Sequence, residues 1–194
     1  GIIVSHQTVR AWAEKFGRRF AADIRRRSRG QFADKWHLDE VVITMRGKKN
    51  WLWRAVDRDG FVLDVLVQSR RNKAAAKRLM RKLLKRQGAA PHVIITDKLR
   101  SYAAAKREIL PGVEHRSHKG LNNRSENSHQ PTRQRERALK KFKSPAQLQR
   151  FLSIHDPITN LFQLPRHEMP SSEFRKMRSL AMRTWREIAQ VEAY

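Results

Sequence analysis

A run of three β-branched residues, Val93-Ile94-Ile95, ends at Thr96 and Asp97 and gives way at once to helix-forming sequence. No other stretch limits the fold as strongly. A short continuous apolar run of this kind belongs to a strand buried on both faces. A strand with helices on either side of it in sequence belongs to an α/β sheet. In such sheets chemistry collects beyond the carboxyl ends of the strands, so Asp97 is a candidate site residue. The competing reading is that Asp97 caps the helix predicted over 98–109, and the residues around it have to decide between the two.

Upstream, WHLDEVVITM from Trp36 is rich in Val, Ile, Thr and Trp, with Asp39 interrupting its apolar pattern, and predicts a strand. Lys48-Lys49-Asn50 is expected to turn the chain into a second strand over 51–56, and Asp59-Gly60 into a third over 61–67. A helix follows over 72–87, with Ala75, Leu79, Leu83 and Leu84 as its apolar stripe and Gly88 and Pro91 as its stop. After the Asp97 strand and its helix, a short strand is expected around 113–115. The order βββαβαβ followed by a helix predicts the ribonuclease H-like fold, an α/β architecture with a mixed five-stranded sheet flanked by helices. At the amino end, Ser5 to Phe16 reads as a helix with a Ser cap and a Gly17 stop. Its character is that of a helix-turn-helix recognition helix, with an ordinary amphipathic helix as the alternative, and the chain is expected to begin partway through that motif. Residues 18–29 read as a basic linker. A polar, glycine-bearing loop over 117–125 leads into a long helix over 125–142 that Pro131 kinks. Pro145 to His155 reads as helix, Pro157, Pro165 and Pro170 as breaks, and residues 172–193 as a closing helix whose Phe174, Met177, Ala181, Trp185 and Ile188 share a face.

Charge points to the partner. Of 194 residues, 43 are Lys or Arg against 18 Asp or Glu, a formal net charge of +25 spread along the whole sequence. A surface this basic binds phosphate backbones through counterion release. No apolar run is long enough to span a bilayer and no signal peptide is visible, so a soluble protein is expected. The absence of Cys removes disulfides and thiolate metal sites and suits a reducing cytoplasm. His115 and His118 are too isolated to argue for zinc. There is no GxxxxGK[ST] loop for ATP and no GxSxG nucleophile element.

Three acids fall where a ribonuclease H-like sheet brings them together: Asp39 on the first strand, Asp97 at the end of the fourth, and Glu126 on the helix after the fifth. Each has a structural alternative. Asp39 is a possible salt-bridged strand acid with Glu40 as a decoy beside it, Glu126 a possible solvated helix acid. Carboxylates suit Mg²⁺, a hard cation that takes oxygen ligands, and a pair of such ions activates the attacking oxygen and steadies the leaving one. The segments WHLDE, WLWRAVDRDG, ITDKLRSY and VEHRSHKGLNNRSENSHQPTRQRER resemble the catalytic domain of bacterial DDE transposases, of the insertion-sequence-six family, over roughly residues 4–188. That resemblance implies Asp39, Asp97 and Glu126 as the catalytic, metal-binding triad, with Mg²⁺ as cofactor and Mn²⁺ as substitute. It implies Arg133, seven residues after Glu126, as a DNA contact near the cut phosphate.

The expected organisation is a partial helix-turn-helix at 1–17, a basic linker at 18–35, a DDE catalytic domain at 36–143 and a C-terminal helical extension at 144–194. Arg10, Arg25, Arg26, Arg27, Lys98, Arg135 and Arg137 join Arg133 as expected DNA-binding residues. Trp51 and Trp53 are read as strand-face packing ahead of base stacking. The expected activity is cleavage at terminal inverted repeats to free 3′-hydroxyls, followed by strand transfer into target DNA, by a bacterial, nucleoid-associated protein acting as a homodimer on DNA. The rivals are a non-catalytic basic DNA-binding remnant and a nuclease of the same fold acting on RNA:DNA hybrids.

Overall fold

The computed structural model describes residues 3–28, 34–117, 134, 142–164 and 169–190. The chain forms two compact units, Arg29–Leu152 on one hand and Gly1–Ser28 with Ser153–Tyr194 on the other.

The larger unit is built on a mixed five-stranded sheet. Its strands are β1 (Lys35–Met45), β2 (Lys48–Asp57), β3 (Val62–Gln68), β4 (Val93–Thr96) and β5 (Glu114–Ser117), in the spatial order β3-β2-β1-β4-β5. The first three form an antiparallel meander, and β4 and β5 run parallel to β1. This is the ribonuclease H-like topology that the element order predicts. The first hairpin turns at Arg46-Gly47, where both residues have positive φ (49° and 76°), and not at Lys48-Lys49-Asn50. A two-residue loop with φ above zero at both positions matches the twist of the flanking strands, and glycine meets that requirement at the second position.

Side chains alternate across a strand, so β1 divides its residues between two cores. Trp36 and Leu38 join Trp53, Ile94, Leu79, Met80, Leu83 and Tyr102 in a cluster formed with α2 (Lys73–Gln87) and α3 (Arg100–Ile109). Val41, Ile43 and Met45 join Leu52, Val65, Val67, Leu148 and Leu152 on the opposite face, against the start of α4 (Pro145–Phe162). Helix α2 begins and ends as its sequence predicts. The Asn72 side chain accepts from the Ala75 amide at 3.0 Å, and Gly88 closes the helix in the left-handed region. Burial of each of the large apolar side chains contributes about 1.5–3 kcal/mol, which is what holds β1 and β4 side by side.

The helical unit departs from the sequence reading twice. Helix α1 (His6–Arg27) keeps its Ser5 cap but runs straight through Gly17, so residues 18–27 are helix and not linker. Gly17 serves close packing: a Cβ at this position would lie 2.8 Å from Ile154 Cγ2 on α4. Helix α4 likewise continues through Pro157 to Phe162. Proline removes the amide that would bond the carbonyl four residues back, and that carbonyl, on Ser153, instead accepts from Arg25 Nη2. Pro170 does act as a boundary, preceding α5 (Ser171–Ala189). Trp185 of α5 packs edge-on against Phe20 at 5.4 Å and against Phe162 at 6.2 Å, and Arg27 pairs with Glu187 at 2.7 Å. The helix expected over 125–142 lies outside the described residues apart from Gln134 and Phe142.

Gly17 yields a test with a change of sign. Helix propensity favours Ala over Gly by up to ~1 kcal/mol, but overpacking against a β-branched side chain costs about 1–3 kcal/mol. Gly17→Ala therefore lowers stability in denaturant unfolding. In an Ile154→Ala background, where Cγ2 is gone, the same substitution raises it.

Candidate active site

The parallel pairing of β1 with β4 runs from Lys35↔Val93 to Leu38↔Thr96. One residue beyond this pairing stand Asp39, still on β1, and Asp97, just past the end of β4. In-register neighbours on parallel strands point to the same face, so the two carboxylates leave the sheet side by side at the carboxyl end of β4. An oxygen of each, together with one from Glu40, falls in a cluster whose atoms lie within 4.8 Å of one another. Asp39 and Asp97 are half-buried, and Glu40 is buried.

Asp97 is fixed by its own backbone. Its Oδ1 accepts from the Leu99 amide at 2.9 Å, so it does steady the entry to α3, and its main-chain oxygen accepts from the Thr96 and Ser117 hydroxyls at 2.7 and 2.9 Å. With the Thr96 proton used in this way, the 2.9 Å contact between Thr96 Oγ1 and His115 Nε2 has the imidazole donating. Burial, with the Lys106 charge adding to it, lowers the His115 pKa and favours this neutral ring. Asp97 Oδ2 lies on the other side of the carboxylate, 3.5 Å from Arg71 Nη2. The capping reading of Asp97 thus occupies Oδ1 and leaves Oδ2 outside the cap.

Glu40 follows Asp39 on the strand and therefore faces the α2–α3 side. Its carboxylate is wholly enclosed. Oε1 accepts from Arg71 Nε at 2.6 Å and lies 2.5 Å from Arg71 Nη2, and Oε2 accepts from the Tyr102 hydroxyl at 2.6 Å. Burial pushes the Glu40 pKa up to about 6 against the opposing pull of Tyr102 and Arg71, and the nearby Asp97 charge adds to the rise. Tyr102 is raised well above the ordinary phenol value by burial first and by the Glu40 charge second. Arg71 also lies over the Trp51 ring, 5.0 Å from its centroid. A second arginine, Arg54, is 2% exposed and sits opposite Asp39 in the antiparallel register, where cross-strand neighbours share a face.

The donor set fits a hard divalent cation. Asp39 and Asp97 supply carboxylate oxygens on one face, partly open to solvent, as Mg²⁺ requires when it keeps several of its waters. Glu40 does not fit as a third ligand, because its carboxylate is wholly enclosed and held by Arg71 and Tyr102 at 2.5–2.6 Å, whereas Asp97 Oδ2 has only a 3.5 Å contact with Arg71. Glu126, expected to complete the set, and Arg133, Arg135, Arg137 and His118 lie outside the described residues.

The other expected DNA contacts are placed separately. Lys98 is exposed beside Asp97. Arg10 is exposed and loosely paired with Glu14 at 3.4 Å. Of the Arg triplet, Arg25 bonds the Ser153 carbonyl, Arg26 pairs with Asp23 at 3.0 Å and Arg27 with Glu187. Trp53 is fully buried, packed edge-on against Tyr102 at 5.4 Å. Sequence reasoning missed Arg71 and Tyr102 and treated Glu40 only as a decoy. The available signal was alternation, since Glu40 shares the parity of the apolar Trp36 and Leu38 and so had to be buried.

The raised pKa of Glu40 sets a pH dependence. Between about pH 4.5 and 6 the folded protein holds a proton that the unfolded chain has lost, so this group's contribution to stability falls as pH rises. The rise to about 6 is worth ~2 kcal/mol. Glu40→Gln has no such titration. In chelator, the unfolding free energy of the variant relative to wild type should therefore move in the variant's favour by ~2 kcal/mol from pH 4 to pH 7. A pH-independent difference would contradict a buried, ionised Glu40.

With this geometry in place, the relatives of the chain can be set beside it. A transposase for the insertion sequence-like element IS431mec of Staphylococcus aureus is 29% identical over 134 residues, covering 66% of this chain and 59% of that protein. An uncharacterized protein of Yersinia pseudotuberculosis is 37% identical over 87 residues, 42% of this chain and 81% of its own length. The chain thus spans 59% of the length of the staphylococcal relative. Among solved structures, the catalytic domain of the Mos1 mariner transposase aligns with a TM-score of 0.49 at 16% identity, over 97% of this chain and 96% of that one. The HTLV-2 integrase catalytic core domain in complex with magnesium aligns at 0.48 and 18% identity, over 74% of this chain and 94% of that one. A family model described as a DDE domain matches residues 33–164, well over half of the sequence. The chain belongs to the DDE-domain family, in the insertion-sequence-six group of bacterial insertion-sequence transposases.

Proposed function

We propose that this chain carries the catalytic centre of a transposase that cuts DNA at the terminal inverted repeats of its element and joins the freed 3′-hydroxyls to target DNA. The observation that carries this reading is the placement of Asp39 and Asp97 on one face of adjacent parallel strands, open to solvent, with Glu40 turned away to the other face. Family membership supports it, as does a net charge of +25 for a polyanionic substrate.

Asp39, Asp97 and Glu126 would hold Mg²⁺, with Mn²⁺ as a substitute. The bound metal supplies Lewis-acid activation of an attacking water or 3′-hydroxyl and charge neutralisation at the departing oxygen. The protein's own part is positional. The Leu99 amide fixes one Asp97 oxygen and leaves the other with only a 3.5 Å contact to Arg71. The Thr96 and Ser117 hydroxyls hold the peptide that carries Asp97. Lys98, exposed beside Asp97, meets the phosphate backbone, and Arg133, Arg135 and Arg137 do so from the segment that follows Glu126. Arg10 offers an exposed cation on the helical unit. Arg25, Arg26 and Arg27 contribute to the same field while committed to partners within the protein. Two ends must be brought together, so the working form is a homodimer on DNA.

Asp97→Asn is the direct test, because asparagine keeps an acceptor for the Leu99 amide while losing the charge that binds metal. Mg²⁺-dependent nicking of a duplex carrying the element ends should fall by about a thousandfold or more, with salt-sensitive DNA binding retained. A wild-type protein inert with both Mg²⁺ and Mn²⁺ would point to a DNA-binding remnant. Cleavage confined to RNA:DNA hybrids would point to a nuclease.

A further inference from the structure

The Glu40–Arg71 pair is built more expensively than a structural ion pair needs to be. A carboxylate whose side chain is 0% exposed, one residue from a catalytic acid, is a net cost to folding unless its partners satisfy it fully. Here they do: Tyr102, itself fully buried, takes one oxygen, and the guanidinium takes the other through Nε and Nη2. The Trp51 ring supports the guanidinium from its face. An arginine held on one edge and one face loses most of its side-chain freedom before any ligand arrives.

What remains of Arg71 looks outward. A guanidinium has five N–H donors. Those of Nε and Nη2 are directed at Glu40 and Asp97, whereas both N–H groups of Nη1 have no partner among the described residues, and the side chain is 38% exposed. Asp97 Oδ2, the oxygen left available at the site, lies 3.5 Å from the same guanidinium. A phosphate group brought to Asp97 would therefore meet a preformed, planar, cationic donor edge.

We infer that Arg71 is a substrate-contacting residue of this site, binding a non-bridging oxygen of the phosphodiester presented to Asp39 and Asp97, with Glu40 and Tyr102 as the residues that position it. This rests on the proposed transposase activity. It extends that activity by naming a phosphate contact on the α2–α3 side of the sheet, supplied by the residue just before the Asn72 cap. The other role open to Arg71 is to balance the charge of Asp97 in the protein alone, and the two roles differ in what they do to DNA and to metal.

The experiment pairs Arg71→Ala and Arg71→Lys with two duplexes. One is natural, and the other carries a neutral methylphosphonate at the cleavage position mapped with the wild-type protein. Binding is measured without metal and cleavage with Mg²⁺. On the natural duplex, Arg71→Ala should weaken binding by ~10-fold or more and lower kcat/KM by ~100-fold. Arg71→Lys restores the charge but not the fork and should recover only part of either loss. On the methylphosphonate duplex wild type and Arg71→Ala should bind alike, since the contacted charge is gone. Equal losses on both duplexes overturn the inference. So does an Arg71→Ala variant whose only change is tighter Mn²⁺ binding by calorimetry, the signature of charge balance at Asp97. Should Arg71→Ala fail to fold, Arg71→Lys with the same pair of duplexes decides the matter. A wild-type protein that cleaves nothing removes the transposase reading and this inference with it, whereas cleavage by wild type without coupling to the methylphosphonate removes this inference alone.

Discussion

Four residues of parallel pairing, Lys35↔Val93 to Leu38↔Thr96, determine the rest of the site. They set two strands of opposite fates beside each other. Strand β4 stops at Thr96, where the chain leaves for α3, while β1 continues to Met45 along its antiparallel partner. Asp39 therefore lies inside a strand and Asp97 just past the end of one, yet they are lateral neighbours on one face. A slip of one residue in that register would turn one of the acids to the opposite face. The register is specified by burial, because Trp36, Leu38 and Ile94 go into one core while Val93 and Ile95 are buried on the other side.

The same alternation that sets Asp39 beside Asp97 makes Glu40 a buried residue, and the chain answers the second fact with Tyr102 and Arg71. Four ionisable or polar groups from four different segments then form one line: Tyr102 of α3, Glu40 of β1, Arg71 ahead of α2, and Asp97 after β4. Removing Tyr102 or Arg71 leaves the buried Glu40 carboxylate short of a partner, so this part of the line is cooperative in the sense that buried polar networks generally are. It also ties the position of the α2–α3 layer to the position of the face that carries Asp39 and Asp97. The sheet lies between them, and Arg71, reaching past the end of β4, is what bridges the two sides.

The elements most legible in the sequence were those whose pattern is local. The β-branched run before Asp97, the Asn72 and Gly88 caps of α2 and the alternation of β1 depend on neighbours a few residues away. The closeness of Asp39 and Asp97 was legible at one remove, through the sheet topology that the element order implied. Gly17 and Pro157 were misread because each carries a strong local signal for a break that a distant partner overrides. Gly17 is small because Ile154 needs the space, and Pro157 is tolerated because Arg25 takes over the orphaned Ser153 carbonyl. Arg71 was invisible among 43 Lys and Arg residues, since nothing in its immediate sequence says that a buried acid from β1 will hold it.

That last point bears on how a strongly basic chain should be read. Net charge counts every arginine equally, but in this protein the arginines divide by what their donors already do. Arg25 satisfies a backbone carbonyl and Arg27 meets Glu187. Arg86, together with Lys82, neutralises the buried Asp64 at 2.6 and 2.9 Å. These groups still add to the long-range field that draws in a polyanion, because a paired cation is only partly cancelled at a distance and the acids are outnumbered. Each is also tied to a partner within the protein, which restricts how far it can turn toward a phosphate. Attraction of a polyanion at a distance and directional contact to a phosphate thus ask different things of the same residue type. The second asks for a side chain held in place with donors still open, and Arg71, with Nε and Nη2 committed and Nη1 unpartnered among the described residues, is held in that way.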